Sequence, residues 1–213
     1  PDLPFAVEQG AAASDGGGLY LVGGLVGGKP SCEVLACDMG SGARTWQSLP
    51  PLPEPFVQPV AFASAGRLYV WGGFDPAERR VADHGYCCDP ATGRWERIAG
   101  LPDGGTMTGS AGVKLADGRL LVVGGVDRAI FSAALGLPAD QMRDYLSQPP
   151  AATRFRNVLW LFDPTSGEWS QAGISGRAAR AGAALVAMSE GAVMLGGETR
   201  PGIRTSRVWR IDL

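Results

Sequence analysis

Four short apolar runs recur along the chain, and each of them closes on a pair of glycines. The runs read LYLV, LYVW, LLVV and AVML, and the pairs are Gly23-Gly24, Gly72-Gly73, Gly124-Gly125 and Gly196-Gly197. Runs of this length between glycines are too short for helices and are typical of fully buried strands. We expect each Gly pair to end an inner strand, where the backbone needs a positive φ or a close approach without a Cβ.

A second pattern follows three of these runs: an apolar stretch that closes on Asp, then a turn, then Trp. The stretches read CDMGSGARTW, CDPATGRW and FDPTSGEW, with Asp38, Asp89 and Asp163 before the turn and Trp46, Trp95 and Trp169 after it. Asp-Pro-x-x-Gly is hairpin chemistry, because Asp accepts local backbone hydrogen bonds, Pro presets φ and Gly supplies the left-handed position. Each Trp is therefore expected to begin an outer strand.

The spacing of the Gly pairs identifies the repeat. Gly23 and Gly72 are 49 residues apart, and Gly72 and Gly124 are 52 apart. Both values match the period of about 50 residues of kelch repeats, in which each blade of a propeller has four strands. The sequence therefore predicts one all-β domain over residues 1–213, a kelch-type β-propeller with four recognisable blades.

The third spacing is longer because it contains an insertion. Gly124 and Gly196 are 72 residues apart, and the extra residues run from about 127 to 156. Within them LPADQMRDYL predicts a helix that ends before Pro149-Pro150. A long insertion in a tight repeat is often a lid over a site, and we interpret residues 127–156 as a loop and helix cap; a surface elaboration without a function is the alternative.

The residue after each Gly pair is apolar in three blades and charged in the fourth. Three blades have Leu25, Phe74 and Val126 there, whereas the fourth has Glu198. A carboxylate at a packed position must reach water in the central channel or find a cation, since burial of an unpaired charge is costly. Six residues later, across a Pro-Gly turn, comes Arg204, an Arg of the type that holds carboxylates in a bidentate fork. An ordinary solvated Glu–Arg pair remains the alternative; Arg200 and Arg207 rank lower.

Composition excludes several partners and sites. The formal net charge is −2 and the 19 basic residues are scattered, so the sequence favours neither nucleic acid nor an anionic membrane surface. The longest apolar stretches are far shorter than the roughly 20 residues of a membrane-spanning helix. One histidine, His84, and four cysteines without a CxxC pair do not indicate a metal site. Cys87 and Cys88 are adjacent in a strand, point to opposite faces, and are expected to be free thiols.

Longer motifs point to a family. GGVDRAIF with the insertion after it, RNVLWLFDPTSGEW, and above all GGETRPGIRT before a strand that ends in IDL resemble the bacterial cyclically permuted mutarotases, the family of the N-acetylneuraminate epimerases. The resemblance implies a six-bladed propeller that interconverts the α and β anomers of sialic acid without a cofactor. It carries the roles of the family's catalytic Glu and Arg to Glu198 and Arg204. The resemblance also implies a periplasmic location, with the cytoplasm as the alternative; the opening Pro1-Asp2-Leu3-Pro4 does not reveal the compartment.

The resemblance spans the whole chain but only about two thirds of a family member. A six-bladed ring would therefore need further blades or a second chain. The main rival function is a non-catalytic kelch interaction module that binds protein through Phe74, Arg79, Arg80 and Phe131. A copper radical oxidase needs more His ligands than the chain has, and a sialidase needs Ser-x-Asp-x-Gly-x-x-Trp turns instead of Asp-Pro-x-x-Gly.

Overall fold

Four antiparallel sheets follow one another along the chain in a computed structural model that describes residues 2–40 and 45–213. We call them blades 1 to 4. Blades 1 to 3 have four strands each, and blade 4 has three among the described residues. In order, the strands are Ala11–Ser14, Gly18–Val22, Val34–Asp38 and Trp46–Leu49; Val60–Ser64, Arg67–Trp71, His84–Asp89 and Arg94–Ala99; Ser110–Lys114, Leu120–Gly124, Val158–Asp163 and Glu168–Ile174; Ala184–Ala187, Ala192–Leu195 and Val208–Ile211.

Short ribbons project from one end of blades 1, 2 and 4, just beyond the Gly pairs. Their strands are Val7–Glu8, Leu25–Val26 and Lys29–Pro30; Phe74–Asp75 and Arg80–Val81; Glu198–Arg200 and Ile203–Arg204. In blade 3 this place is taken by three helices, α1 (Arg128–Leu135), α2 (Ala139–Ser147) and α3 (Pro150–Thr153). A 3₁₀ turn at Gly176–Ala178 leads into blade 4. No helix in the described part of the chain is long and apolar enough to cross a membrane.

The four Gly pairs occupy equivalent places, which confirms the repeat. All eight glycines have positive φ, from 61° to 94°. The first glycine of a pair lies against the segment that enters the next blade: a Cβ on Gly72 would come within 2.9 Å of the Met107 backbone, and one on Gly124 would clash with the Arg180 carbonyl oxygen. Each pair ends the second strand of its sheet.

A chain of backbone hydrogen bonds links the blades around a common axis. The Gln58 amide donates to the Gln9 carbonyl (2.8 Å), Gly109 donates to Gln58 (3.3 Å), and Gly182 donates to Gly109 (2.8 Å). All four residues have positive φ and lie one or two positions before the first strand of a blade. The first strands of successive blades also contact one another. The blades thus radiate from this axis with their first strands innermost, as a β-propeller requires.

The core lies between the blades, in three apolar clusters. Cys88 belongs to the cluster between blades 1 and 2, whereas Cys87 belongs to the cluster between blades 2 and 3. The prediction that the two side chains point to opposite faces is confirmed, and all four cysteines are free thiols. Burial raises the pKa of the Cys88 thiol to about 11, and it also raises that of Cys87. Both therefore act as small apolar side chains.

The predicted hairpin chemistry is present in all three blades. The Oδ1 atom of Asp38, Asp89 and Asp163 accepts a hydrogen bond from the amide two residues later, at 2.8, 2.9 and 2.8 Å. Trp46, Trp95 and Trp169 lie at the start of the outer strands that follow. The remainder of the first turn, residues 41–44, lies outside the described residues.

Candidate active site

Glu198 and Arg204 face each other in the ribbon of blade 4. They are direct partners in its register, and the Arg204 Nη2 lies 3.3 Å from the Glu198 Oε1. Between them Pro201 and Gly202 form the turn, with Gly202 at φ 74°. The Gly202 amide donates to the Glu198 Oε2 at 3.3 Å. The structure therefore brings the two predicted residues together at one end of the blade, as the Pro-Gly turn indicated.

Glu198 replaces an apolar residue at a structurally equivalent position. It pairs with Ala181 in the segment that enters blade 4, just as Phe74 pairs with Val57 in blade 2. Its side chain is 25% exposed. It lines a cavity of about 200 Å³ whose other walls are mostly apolar: Gln58, Val126, Phe131, Ala134, Leu135, Met142, Tyr145, Leu146, Phe155, Ala181 and Pro201. A carboxylate therefore stands at the edge of an apolar chamber.

The insertion forms one wall of this chamber. The helix predicted in LPADQMRDYL is present as α2, while α1 and α3 were not predicted from the sequence. Arg200 anchors the end of α2, since its Nη1 donates to the carbonyls of Ser147 (3.1 Å) and Gln148 (3.3 Å). On the other side the Phe131 ring of α1 packs edge-on against Phe74, with centroids 5.1 Å apart. The insertion thus spans from the ribbon of blade 2 to that of blade 4.

A larger cavity of about 1060 Å³ lies on the other side of Arg204. Four arginines line it, Arg177, Arg180, Arg204 and Arg207, together with Ser175, Gly176, Ala179, Thr199, Thr205, Val208 and Trp209. Arg180 is only 5% exposed. Sequence reasoning missed this residue, because the segments that enter the blades vary in length and composition and give no motif by which to align them. The available signal was a lone Arg in an otherwise small-residue stretch, AARAGAA.

Residues of the rival interaction surface are largely used within the fold. Phe74 packs against Phe131, as above, and the Arg80 Nη2 lies 2.6 Å from the Glu54 Oε2. Arg79 takes a left-handed conformation with φ 50°. Three of the four side chains, those of Phe74, Arg80 and Phe131, thus make contacts within the fold.

Glu54 is the centre of a polar cluster between blades 1 and 2. Its Oε1 accepts from the Tyr86 hydroxyl and from the His84 Nε2, both at 2.7 Å. Asp83 lies 3.3 Å from the His84 Nδ1 and pairs with Arg128 of α1 at 2.8 Å. His84 thus has a structural role in this cluster. Across residues 2–40 and 45–213, no group of His, Cys, Asp and Glu side chains is arranged to hold a metal ion.

Comparison with known proteins identifies the family of the chain. The sequence matches the N-acetylneuraminate epimerase family over residues 1–213. An N-acetylneuraminate epimerase of Yersinia enterocolitica is 31% identical over 99% of this chain and 56% of its own length, and one of Brucella melitensis is 27% identical over 96% and 56%. A solved structure described as YjhT superposes with a TM-score of 0.86 at 26% identity, over 100% of this chain and 64% of that one. The chain thus spans about half the length of the curated relatives it matches.

Proposed function

Since the chain belongs to the N-acetylneuraminate epimerase family, we propose that the complete protein interconverts the α and β anomers of N-acetylneuraminate or a related sialic acid. The observation that carries this proposal is the Glu198–Arg204 pair, which breaks an apolar repeat position at the mouth of an apolar chamber. The reaction needs no cofactor. We place it in the periplasm on the family resemblance alone.

Anomer exchange opens and recloses the sugar ring. A base takes the proton of the anomeric hydroxyl, the bond from the anomeric carbon to the ring oxygen breaks, and an acid protonates the ring oxygen. Reclosure on the opposite face of the carbonyl reverses both proton transfers, so that no atom is gained or lost. In this proposal Glu198 is the base, with its carboxylate oriented by one ion pair and one backbone amide at the edge of a mostly apolar chamber.

Arg204 is proposed to bind the substrate carboxylate. Its side chain is 82% exposed, and only its Nη2 is engaged with Glu198. An incoming carboxylate can therefore use the remaining N–H groups of the guanidinium in a charge-assisted contact. In sialic acid the carboxylate sits on the anomeric carbon, so a carboxylate at Arg204 brings the reacting hydroxyl next to Glu198. The insertion, 127–156, would then act as the cap over the reacting ring.

Exposed apolar side chains on the outer face of blade 4 support the proposal that more protein completes the ring. Val186, Leu195 and Val208 are 52%, 37% and 63% exposed on this face. In blade 2 the positions equivalent to Val186 and Leu195 hold Phe62 and Trp71, which are 3% and 0% exposed under blade 3. We propose that further blades, or a second chain, pack on this face and complete the active site, including the acid that protonates the ring oxygen.

The test is the substitution Glu198→Gln in the complete protein, with Glu190→Gln as a matched control. Glu190 lies exposed in the turn of blade 4. Loss of a positioned acid/base group should slow anomer exchange of N-acetylneuraminate by roughly 10²–10⁴-fold with little loss of binding. Arg204→Ala should chiefly weaken binding. Exchange is followed by proton NMR from a freshly dissolved single anomer, at a pH where the spontaneous reaction is slow. No acceleration by the parent protein over buffer, or equal rates in parent and Glu198→Gln, would contradict the proposal.

A further inference from the structure

Arg180 occupies a position that is apolar in the other blades. The carbonyl oxygen of Arg180 accepts from the second glycine of the preceding pair, Gly125 (2.7 Å), as the carbonyl of Phe56 accepts from Gly24 (2.8 Å). Met107 holds the same place against Gly72 in the segment that enters blade 3. Phe56 and Met107 are each 1% exposed and belong to the interblade clusters. A cation therefore replaces a core side chain where the chain enters blade 4.

The guanidinium of Arg180 is fixed but not neutralised. Its Nη1 donates to the carbonyls of Gly196 (3.0 Å) and Arg207 (2.9 Å). Among the described residues no carboxylate forms an ion pair with it, and its Nε and Nη2 have no hydrogen-bond partner. Burial and the neighbouring Arg207 lower its pKa. Since a buried charge without a counter-charge is costly, this arrangement favours an anion that arrives with a ligand.

The cavity in front of Arg180 has the chemistry of a sugar-acid site. Arg180, Arg204 and Arg207 line it with Thr199, Thr205 and Trp209, and none of the described residues that line it is acidic. Arginines recognise a carboxylate, hydroxyls exchange hydrogen bonds with sugar hydroxyls, and an indole packs against an apolar face. The same Arg204 contacts Glu198, so a ligand here would lie beside the proposed base.

We infer that Arg180 is a second carboxylate-binding residue, which holds the carboxylate of the sugar acid through its free Nε and Nη2 edge while Arg204 contacts it from the ribbon. This inference rests on the proposed function and deepens it. Two carbonyl contacts on Nη1 hold the guanidinium in place, and Arg180 lines the cavity. Preorganised donors of this kind lose little entropy when they bind a planar carboxylate.

The test is Arg180→Met in the complete protein, because Met107 shows that this position accommodates Met. The matched control is Arg119→Met, which removes an exposed Arg paired with Asp117 at 2.6 Å. The probes are the methyl α- and β-glycosides of N-acetylneuraminate, which cannot exchange anomers, and their carboxyl methyl esters, which lack the charge. Binding is measured by calorimetry or ligand-observed NMR.

Arg180→Met should weaken binding of the acid glycosides roughly 10- to 150-fold and leave binding of the esters within about twofold, whereas the control should change neither. The midpoint of thermal unfolding should not fall, since an unpaired buried charge has been replaced by an apolar side chain. Equal affinity of parent and variant for the acid glycosides would overturn the inference and leave the proposed function intact. Equal losses for acid and ester, together with a lower midpoint, would show a purely structural Arg and also overturn it.

Two further outcomes separate this inference from the proposed function. If the parent binds no sialic acid glycoside, the proposed function fails, and glucuronate and lactate then test Arg180 directly. Binding of either one that is lost in Arg180→Met would support the carboxylate site, and binding of neither would overturn it. Tighter binding of inorganic phosphate than of any carboxylate would reject the carboxylate as the ligand class.

Discussion

Removal of Glu54 should destabilise the protein, because three partners depend on its carboxylate. Its side chain is 15% exposed, and that of His84 is 12% exposed. Loss of the Oε1 acceptor removes the hydrogen-bond partner of the Tyr86 hydroxyl and of the His84 Nε2 in a half-buried place. Two charge-assisted hydrogen bonds, discounted for the water that can enter, give about 2–4 kcal/mol for Glu54→Ala. The exposed Arg80 adds little, since surface ion pairs contribute roughly 0–1 kcal/mol.

The pH dependence of stability provides a second readout of the same cluster. Burial by itself would raise the pKa of Glu54, but hydrogen bonds from Tyr86 and His84 and the charge of Arg80 outweigh it and lower the pKa. A lowered pKa in the folded state means that the stabilisation is complete above the ordinary Glu pKa and is lost as the pH falls through the folded value. The parent should therefore lose stability on acidification, and Glu54→Ala should lack that part of the loss.

Urea unfolding followed by tryptophan fluorescence, at neutral and acidic pH, measures both effects. Glu168→Ala, which removes an exposed carboxylate from the outer strand of blade 3, is the control and should change the free energy of unfolding by less than about 0.5 kcal/mol. A double-mutant cycle with Tyr86→Phe should give a coupling energy of about 0.5–3 kcal/mol. The reasoning is refuted if Glu54→Ala unfolds like the control at neutral pH, or if its acid limb matches that of the parent.

Two further outcomes are expected. Titration of the unfolded, unreduced protein with a thiol reagent should find four free groups, because Cys87 and Cys88 point into different clusters, and a count of two would contradict this. Gly124→Ala should lower the free energy of unfolding, measured with denaturant, several times more than Gly118→Ala. Both glycines have a positive φ, but a Cβ on Gly124 would meet the Arg180 backbone, whereas nothing lies within 4 Å of a Cβ on Gly118. Equal losses would show that the close approach is not the reason for the glycine.

Most of the fold could be predicted because every blade needs the same backbone conformations at the same places. Gly pairs with positive φ and Asp-Pro-x-x-Gly turns are local demands that leave a trace in every blade. The segments that lead into each blade have no such sequence pattern. For example, Gln58 and Gly182 hold equivalent left-handed positions, but one has a side chain and the other has none. The insertion was located, but α1 was missed because its apolar run, RAIFSAAL, has no acidic first turn and its cap, Asp127, follows directly on the strand motif.

The candidate site was only partly predictable for a related reason. Glu198 stood out because the residues before it, Gly196-Gly197, align this position in the sequence with the same position in the other blades. Arg180 became visible only when the backbone hydrogen bonds aligned it with Phe56. Two strands lie between Arg180 and the Gly196-Gly197 motif in the sequence. The sequence alone therefore does not show that Arg180 lies next to that motif in space.

The departures from the repeat are not scattered; they meet at the end of blade 4. Glu198 forms a backbone pair with Ala181, which directly follows Arg180 in the chain. The two residues that depart from the repeat, Glu198 and Arg180, therefore lie close together. If the two charges existed only to neutralise each other, the structure would pair them, yet Glu198 is paired with Arg204, and Arg180 donates instead to two backbone carbonyls. Phe56 and Met107 hold the equivalent positions in other blades, so the fold accepts an apolar side chain there. Since local conflicts with an otherwise consistent pattern are expected at functional sites, the unmatched positive charge is best explained by an anionic ligand.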